Sequence, residues 1–504
     1  MKASDHFLEA LLIRRQLKQE YSIGRSDAPL AEFLREHDRW EQAENHLREA
    51  AMIAESESDV RLAADARSEL ALHYLDVHLS DDAFIQFEAA LTHLVQAPDE
   101  KLEAKIHTNL ANLYRMQGRM TEAHEHSLLA LDQFRKLGNR RNEVIVLGNL
   151  YAILIELHRP EEALPYLLQV LEYYRESKDR VREGIALGDF ATVMQLLGRY
   201  EEARAAYLSA IAIAHETNDR PAEGIAIGTY AIFLLDRGSY EESYQLFQSA
   251  LNIHVSTGDE RFQGITLGNL ANLINMHGDA YAAHEYYLQS LELHRRTGDR
   301  LSEAIVLAGL ADNMHNQKRY LESRKHYNHA LDIIRNVGDE VLEGTITCEI
   351  GELEMDQGNF TDAHHYFEHG CEFLRKAGDL QQRHLQLCHY TELCLLSGKH
   401  EQAEELFSEA SELANDKLPP IDLILDHVLR SQFALASPSS ISKQHNSIKG
   451  SLTAALAEYR AAAGLIQRYR VSQNTSRTRS FSRLRQKLQR LNIPEIDISL
   501  PNHW

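Results

Sequence analysis

A chain of 504 residues is too long for one compact core, which leaves several domains or a repeat array. With 44% apolar residues, 25% charged residues and only 10 prolines, the composition excludes a largely disordered chain. The formal net charge of −22 is uneven: residues 451–504 hold nine Arg/Lys against three Asp/Glu, a net +6, so residues 1–450 carry −28 and disfavour nonspecific binding to nucleic acid or anionic membrane.

The first stretch, 1–20, is interrupted by Asp5, Glu9, Arg14, Arg15 and Lys18 and reads as an amphipathic capping helix, not a secretory signal. No segment approaches the ~20 consecutive apolar residues of a membrane span. Four cysteines without framework spacing fit a reducing compartment, and the expected location is cytoplasmic.

From residue 21 a 40-residue period governs the chain. Glycines recur at Gly118, Gly198, Gly238, Gly278, Gly358 and Gly398, and a second series runs Gly138, Gly258, Gly298, Gly338 and Gly378. Small residues keep step at Ala43, Ala83, Ala123, Ala163, Ala203, Ser243, Ala283, Ser323, Ala363 and Ala403, and again seven residues later. In one unit, Leu187, Phe190, Ala191 and Met194 form the stripe of a first helix, which Gly198-Arg199 breaks. A second helix opens on Glu201-Glu202, favourable against the helix dipole, and buries Ala203, Tyr207, Ala210, Ile211 and Ala214. Asp219 is the expected N-cap of the next unit, with Pro221 in its first turn; Gly258, Gly298 and Gly338 hold the helix-ending position of Asn218. Each hairpin exposes an apolar face that only a stacked neighbour can cover. The sequence therefore predicts an all-α solenoid, a superhelix of about ten antiparallel helix-turn-helix units over 21–416. A capping helix is expected at 417–436, after Leu418-Pro419-Pro420, then a polar linker at 437–450 and a basic helical tail at 451–504.

These residues resemble tetratricopeptide repeats of the 40-residue variety found in kinesin light chains and Leu-Gly-Asn repeat scaffolds. The resemblance rests on the small residue of the first helix (Ala111, Ala191, Ala231, Ala271, Ala311), the turn glycine and the two small positions of the second helix. The family's tryptophan is absent, its closing proline gives way to a Gly-Asp link, and Tyr151 and Thr391 replace the small residue. The resemblance implies a non-enzymatic scaffold or adaptor that holds a protein or peptide in a concave groove lined by the first helices. Groove contacts in the family lie two positions before and one after the small residue. Here those positions give Asn109, Asn149, Asp189 and Asn269, then Asn112, Thr192, Asn272 and Asp312. An asparagine amide offers donors and acceptors to an extended peptide backbone; the alternative is that these are solvated polar sites. Gly148, Gly188, Gly228 and Gly268 precede the first of these positions, which suggests close approach of a backbone, either a neighbouring helix or a ligand.

Nothing in the sequence stands out as catalytic: there is no phosphate-cradling loop, nucleophile elbow or His-Glu-x-x-His, so no enzyme activity is expected. His384 and Cys388 have metal-ligand spacing, but all four cysteines fall on core positions of the repeat, so no metal site and no cofactor are expected. The acid pairs at helix starts read as solvated and matched to the helix dipole. In the tail, a helix, a turn at Val471-Ser472 and a basic helix are similar to the helix-turn-helix of Fis-type regulators, with a longer stretch at 476–481. Arg477, Arg479, Arg483, Arg485, Lys487 and Arg490 are its candidate DNA contacts, and the alternatives are docking onto the acidic body or a solvated tail. This gives a second functional reading, a regulator whose repeats sense a protein or peptide and whose tail contacts DNA. No membrane partner is implied, and nothing in the sequence sets the oligomeric state.

Overall fold

An acidic or amide side chain at each 40-residue step starts a helix. Asp59, Asp99, Asn139, Asp179, Asp219, Asp259, Asp299, Asp339 and Asp379 are all N-caps whose side chains accept hydrogen bonds from backbone amides two or three residues on. Each satisfies a donor that the helix itself leaves unpaired. The computed structural model describes residues 5–13, 16, 38–413 except 78 and 158, 423–436, and 457, 458, 461 and 462. The first helix of the expected opening repeat, the linker 437–450 and all six basic residues from Arg477 to Arg490 lie outside the described residues.

The chain divides into two compact units, Met1–Ser177 and Lys178–Trp504. The first holds α1 (Asp38–Ser56), α2 (Val60–Asp76), α3 (Ser80–Gln96), α4 (Glu100–Met116), α5 (Met120–Lys136), α6 (Arg140–Glu156) and α7 (Pro160–Glu176). The second runs from α8 (Arg180–Leu196), α9 (Tyr200–Glu216), α10 (Arg220–Asp236) and α11 (Tyr240–Thr257) to α12 (Glu260–Met276), α13 (Ala280–Thr297) and α14 (Arg300–Asn316). It continues through α15 (Tyr320–Val337), α16 (Glu340–Gln357), α17 (Phe360–Ala377), α18 (Leu380–Leu396) and α19 (His400–Leu413), and α20 (Leu423–Ala436) falls inside the expected capping segment. Even-numbered helices from α2 to α18 are the first, or A, helices of their repeats, and the B helix that follows each is its main packing partner. Among the described residues there is no strand, and no helix is long and apolar enough to cross a membrane. Within each unit the architecture is the expected α-solenoid of antiparallel hairpins.

The turns follow from backbone geometry. Gly258 ends α11 in the left-handed region at φ 72°, and Asn218 adopts φ 54° at the equivalent place. The small residues do what their size permits: Ala203 and Ala210 are buried between paired helices, and the Ser243 hydroxyl donates to the Ala231 carbonyl at 2.7 Å. Between them sits one large ring or branched side chain in most repeats, among them Phe87, Tyr207, Phe247, Tyr287, Tyr327 and Phe367, all buried, while Ser127 takes the place on α5. The stripes shift slightly from expectation, because Val193 and Ile213 are buried where Phe190 and Ile211 are only half-buried. Arg119, Arg159, Arg199 and Arg319 precede their B helices and pair with the glutamate three residues on, so one carboxylate at each of these helix starts is an ion-pair partner. The cysteines sit where core residues do: Cys348, Cys388 and Cys394 are buried, and His384 Nδ1 lies 2.8 Å from the Ala410 carbonyl oxygen.

Candidate peptide-binding face

The A helices from α2 to α14 each keep one stripe out of the packing. On α8 it runs Val181, Ile185, Asp189, Thr192 and Leu196, spaced three or four residues apart and partly or largely exposed while Ala186, Leu187, Ala191 and Met194 are buried. Successive A helices touch within each unit, α4 with α6 in the first and α8 through α18 in the second, so the stripes of neighbouring repeats adjoin.

The expected groove residues all lie on these stripes. In the first unit Asn109, Asn112 and Asn149 are half-buried, and their amides make no hydrogen bond with other described residues. In the second, Asp189, Thr192, Asn269 and Asp312 are half-buried and Asn272 is exposed. Not all of them are spare. Asn272 Oδ1 accepts from the Tyr287 hydroxyl at 2.6 Å, and Asp312 accepts from Asn275 and Asn316, each at 3.1 Å. The Thr192 hydroxyl is 3.2 Å from both the Gly188 carbonyl and the Tyr207 hydroxyl.

Two features of the stripe are not among the expected residues. One turn before the polar position stands an isoleucine in repeat after repeat, and Ile145, Ile185, Ile225 and Ile305 are exposed, Ile185 by 56%. The same register also continues past Asp312. Glu349, Glu352, Asp356, His389 and Glu392 occupy it, so the register turns acidic, but Glu352, His389 and Glu392 are buried and only Glu349 and Asp356 stay half-buried. Glu352 lies 3.4 Å from His389 Nε2, and Asp356 lies 3.0 Å from His315 Nε2. Glu349 Oε2 is buried without a hydrogen-bond partner among the described residues. Burial first, then the neighbouring Asp312 and Glu352 charges, raise its carboxyl well above the usual range. Both features could have been found by running the 40-residue register to its end.

The glycines correct an expectation. A Cβ on Gly188 would meet nothing within 4 Å, and on Gly148 or Gly228 only an atom 3.9 Å away, so no neighbouring helix closes on them; Gly268 alone is snug, 3.3 Å from Ser290 Oγ. Close approach falls one turn earlier. A Cβ on Gly184 would lie 2.9 Å from Ile213, on Gly224 2.7 Å from His254 and on Gly264 2.8 Å from His294. The first series instead leaves open space. At Gly188 that space is part of a cavity of about 320 Å³ between α8 and α10, floored by Tyr207, Ala210 and Ala214 of α9 and rimmed by Ile185, Asp189, Thr192, Ile225 and Thr229. It is a largely apolar recess whose lining also includes two aspartates, Asp189 and Asp219, and three threonines, Thr192, Thr217 and Thr229, able to take an apolar group and hydrogen-bond what is attached to it.

The Tetratricopeptide repeat family matches residues 102–176, 143–216 and 302–376, spanning A and B helices of both units. Comparison with curated proteins gives no match. Among solved structures, a Rap protein complexed with Competence and Sporulation Factor is similar at 13% identity over 70% of this chain and 98% of that one, with a TM-score of 0.46. The apo quorum sensor NprR from B. thuringiensis is similar at 16% identity over the same shares, also at 0.46. A putative kinesin light chain from Podosopora anserina is similar at 16% identity over 43% of this chain and 98% of that one, at 0.36. Likeness at this level is one of helical repeats and carries no argument about function. With the matched segments, the 40-residue register and the paired helices in agreement, the chain carries tetratricopeptide repeats over 102–216 and 302–376.

Proposed function

We propose that this chain is a non-enzymatic adaptor that holds an extended segment of a partner protein along the exposed stripe of its A helices. Tetratricopeptide repeats bind proteins and peptides; the finer assignment here rests on one observation. The Gly188 recess opens onto the stripe between Ile185 and Ile225, with Asp189, Thr192 and Thr229 at its mouth. A large apolar side chain of the partner enters the recess, and the rim groups take the backbone on either side. The polar groups along the face are spread over successive repeats at their 40-residue spacing, which suits reading a long segment more than converging on one reacting atom.

A display library of peptides panned against the intact chain tests this. The enriched peptides should bind at least about tenfold more weakly to Gly188→Leu, which fills the recess, and to the combined Asn109→Ala, Asn112→Ala, Asn269→Ala, Asn272→Ala variant, with circular dichroism unchanged. Undiminished binding to both folded variants would refute the assignment of this face.

A further inference from the structure

The helical segment 5–13 is docked on the first described hairpin, with Ala10 buried in a core cluster that includes Leu47, Ala64 and Leu70, and Ile13 buried with Trp40 and Ala43. Where it meets α1, three side chains converge. His6 Nδ1 lies 2.9 Å from His46 Nδ1 and 2.8 Å from Glu49 Oε2, and one ligand atom from each of the three residues falls within a 4.8 Å group. His46 and Glu49 are three residues apart on one face of α1, and His6 comes from the other segment. The two rings are tilted by 44° with centroids 5.2 Å apart, so the contact is between nitrogens and not a stack of faces.

Hydrogen bonding alone serves this arrangement poorly. A neutral imidazole carries one proton, so His6 Nδ1 either donates one shared proton to two acceptors or turns a lone pair toward the Glu49 carboxylate. Three electron-pair donors facing a common point are instead what a small divalent ion requires. Zinc takes imidazole nitrogen and carboxylate oxygen at about 2.0–2.2 Å in tetrahedral geometry, which sets the donors about 3.3 Å apart. The observed 2.8 and 2.9 Å separations need to open by only about 0.4–0.5 Å, within reach of small χ rotations. A second histidine pair shows what is missing elsewhere. His107 Nδ1 and His126 Nδ1 are also 2.9 Å apart, but Glu103 approaches His107 at Nε2, 3.8 Å away on the other side of the ring, so no third donor joins the pair.

We propose that His6, His46 and Glu49 form a binding site for a divalent transition-metal ion, zinc being the best match to two neutral imidazoles and a carboxylate, with water in the fourth position. The ion fastens the N-terminal segment to the first repeat across a sequence separation of 40 residues. This site is independent of the peptide-binding face.

The test uses the full-length chain, purified without a histidine tag and stripped with a chelator, then titrated with zinc chloride by calorimetry and by competition with a chromophoric chelator. One tight site per chain is expected, weakened about tenfold or more by His46→Ala and by the surface change Glu49→Gln, and unaffected by His126→Ala. Zinc should also slow amide exchange across residues 5–13 in the native chain and not in His46→Ala. Stoichiometric binding that survives both His46→Ala and Glu49→Gln, or the lack of any tight site in the native chain, would overturn the proposal.

Discussion

At residue scale the two glycine series of the A helices behave oppositely. At Gly224 a methyl group would lie 2.7 Å from the ring of His254, which is buried and cannot withdraw, whereas at Gly188 it would enter open space. Gly224→Ala is therefore expected to lower stability by about 1–3 kcal/mol through overpacking. Gly188→Ala is expected to raise it by up to about 1 kcal/mol, because alanine is the better helix former. Urea melts of the two variants check this, and a loss of equal size at both positions would show that Gly188 is packed after all. The sequence shows both series equally well. What it does not show is which ring of the following B helix comes to rest over which glycine, since that depends on the packing of the pair. The same limit hid the convergence of His6 with His46 and Glu49: two of the three share a helix and are legible as a pair, but the docking of the N-terminal segment is not.

Buried histidines also set a pH dependence. His107, His254 and His294 have pKa values lowered from 6.5, burial being the largest cause in each. The folded state thus binds fewer protons than the unfolded state, so their contribution is complete above about pH 6.5 and is lost as pH falls through and below it. Glu349 has the opposite sign: its raised pKa means that its contribution is present at low pH and is lost as pH rises past the ordinary carboxyl value of 4.5 toward the folded one. The urea midpoint should drop between pH 7 and pH 5, less so in His294→Gln, and Glu349→Gln should gain stability at pH 8 more than at pH 5. A midpoint flat across that range in the Glu349→Gln background, where the opposing carboxyl is gone, would remove the assigned burial of the three imidazoles.

At the scale of the element, the repeat writes its own boundaries. The N-cap series from Asp59 to Asp379 and the left-handed turn residues from Asn218 to Gly378 recur every 40 residues because each hairpin must begin and end in the same geometry. This is why the fold was legible from spacing alone, down to the cap at Asp219. Removing that cap, Asp219→Ala, leaves the Ala222 amide without its side-chain acceptor and should destabilise α10 by about 1 kcal/mol, read as faster amide exchange in its first turn than in that of α12. Equal exchange would mean that the cap is redundant. The family resemblance, carried along the register, named the candidate positions: Asn109, Asn149, Asp189 and Asn269 lie half-buried on the A-helix stripe. Their hydrogen-bond state was not legible. Asn272 is engaged by Tyr287 and Asp312 by Asn275 and Asn316, because these partners lie fifteen residues and more away or depend on side-chain direction.

At the scale of the whole molecule, the stripe changes chemistry from repeat to repeat within each unit, and on α16 and α18 part of it is buried. It carries Lys105, Asn109 and Asn112 on α4, isoleucines with Asp189 and Thr229 on α8 and α10, and Asp312, Glu349 and Asp356 on α14 and α16. Helical hairpins supply the same frame in every repeat, so selectivity for a partner can be written in these outward positions without disturbing the core. The B helices present a different surface, with Glu201, Glu202, Arg204, Leu208 and Ser209 of α9 exposed away from the recess. Amide hydrogen exchange on the complex with a selected peptide distinguishes the two surfaces. The account predicts slowed exchange centred on residues 181–196 and 220–232 of the A helices; slowing confined to the outer turns of the B helices, such as 201–209, would contradict it.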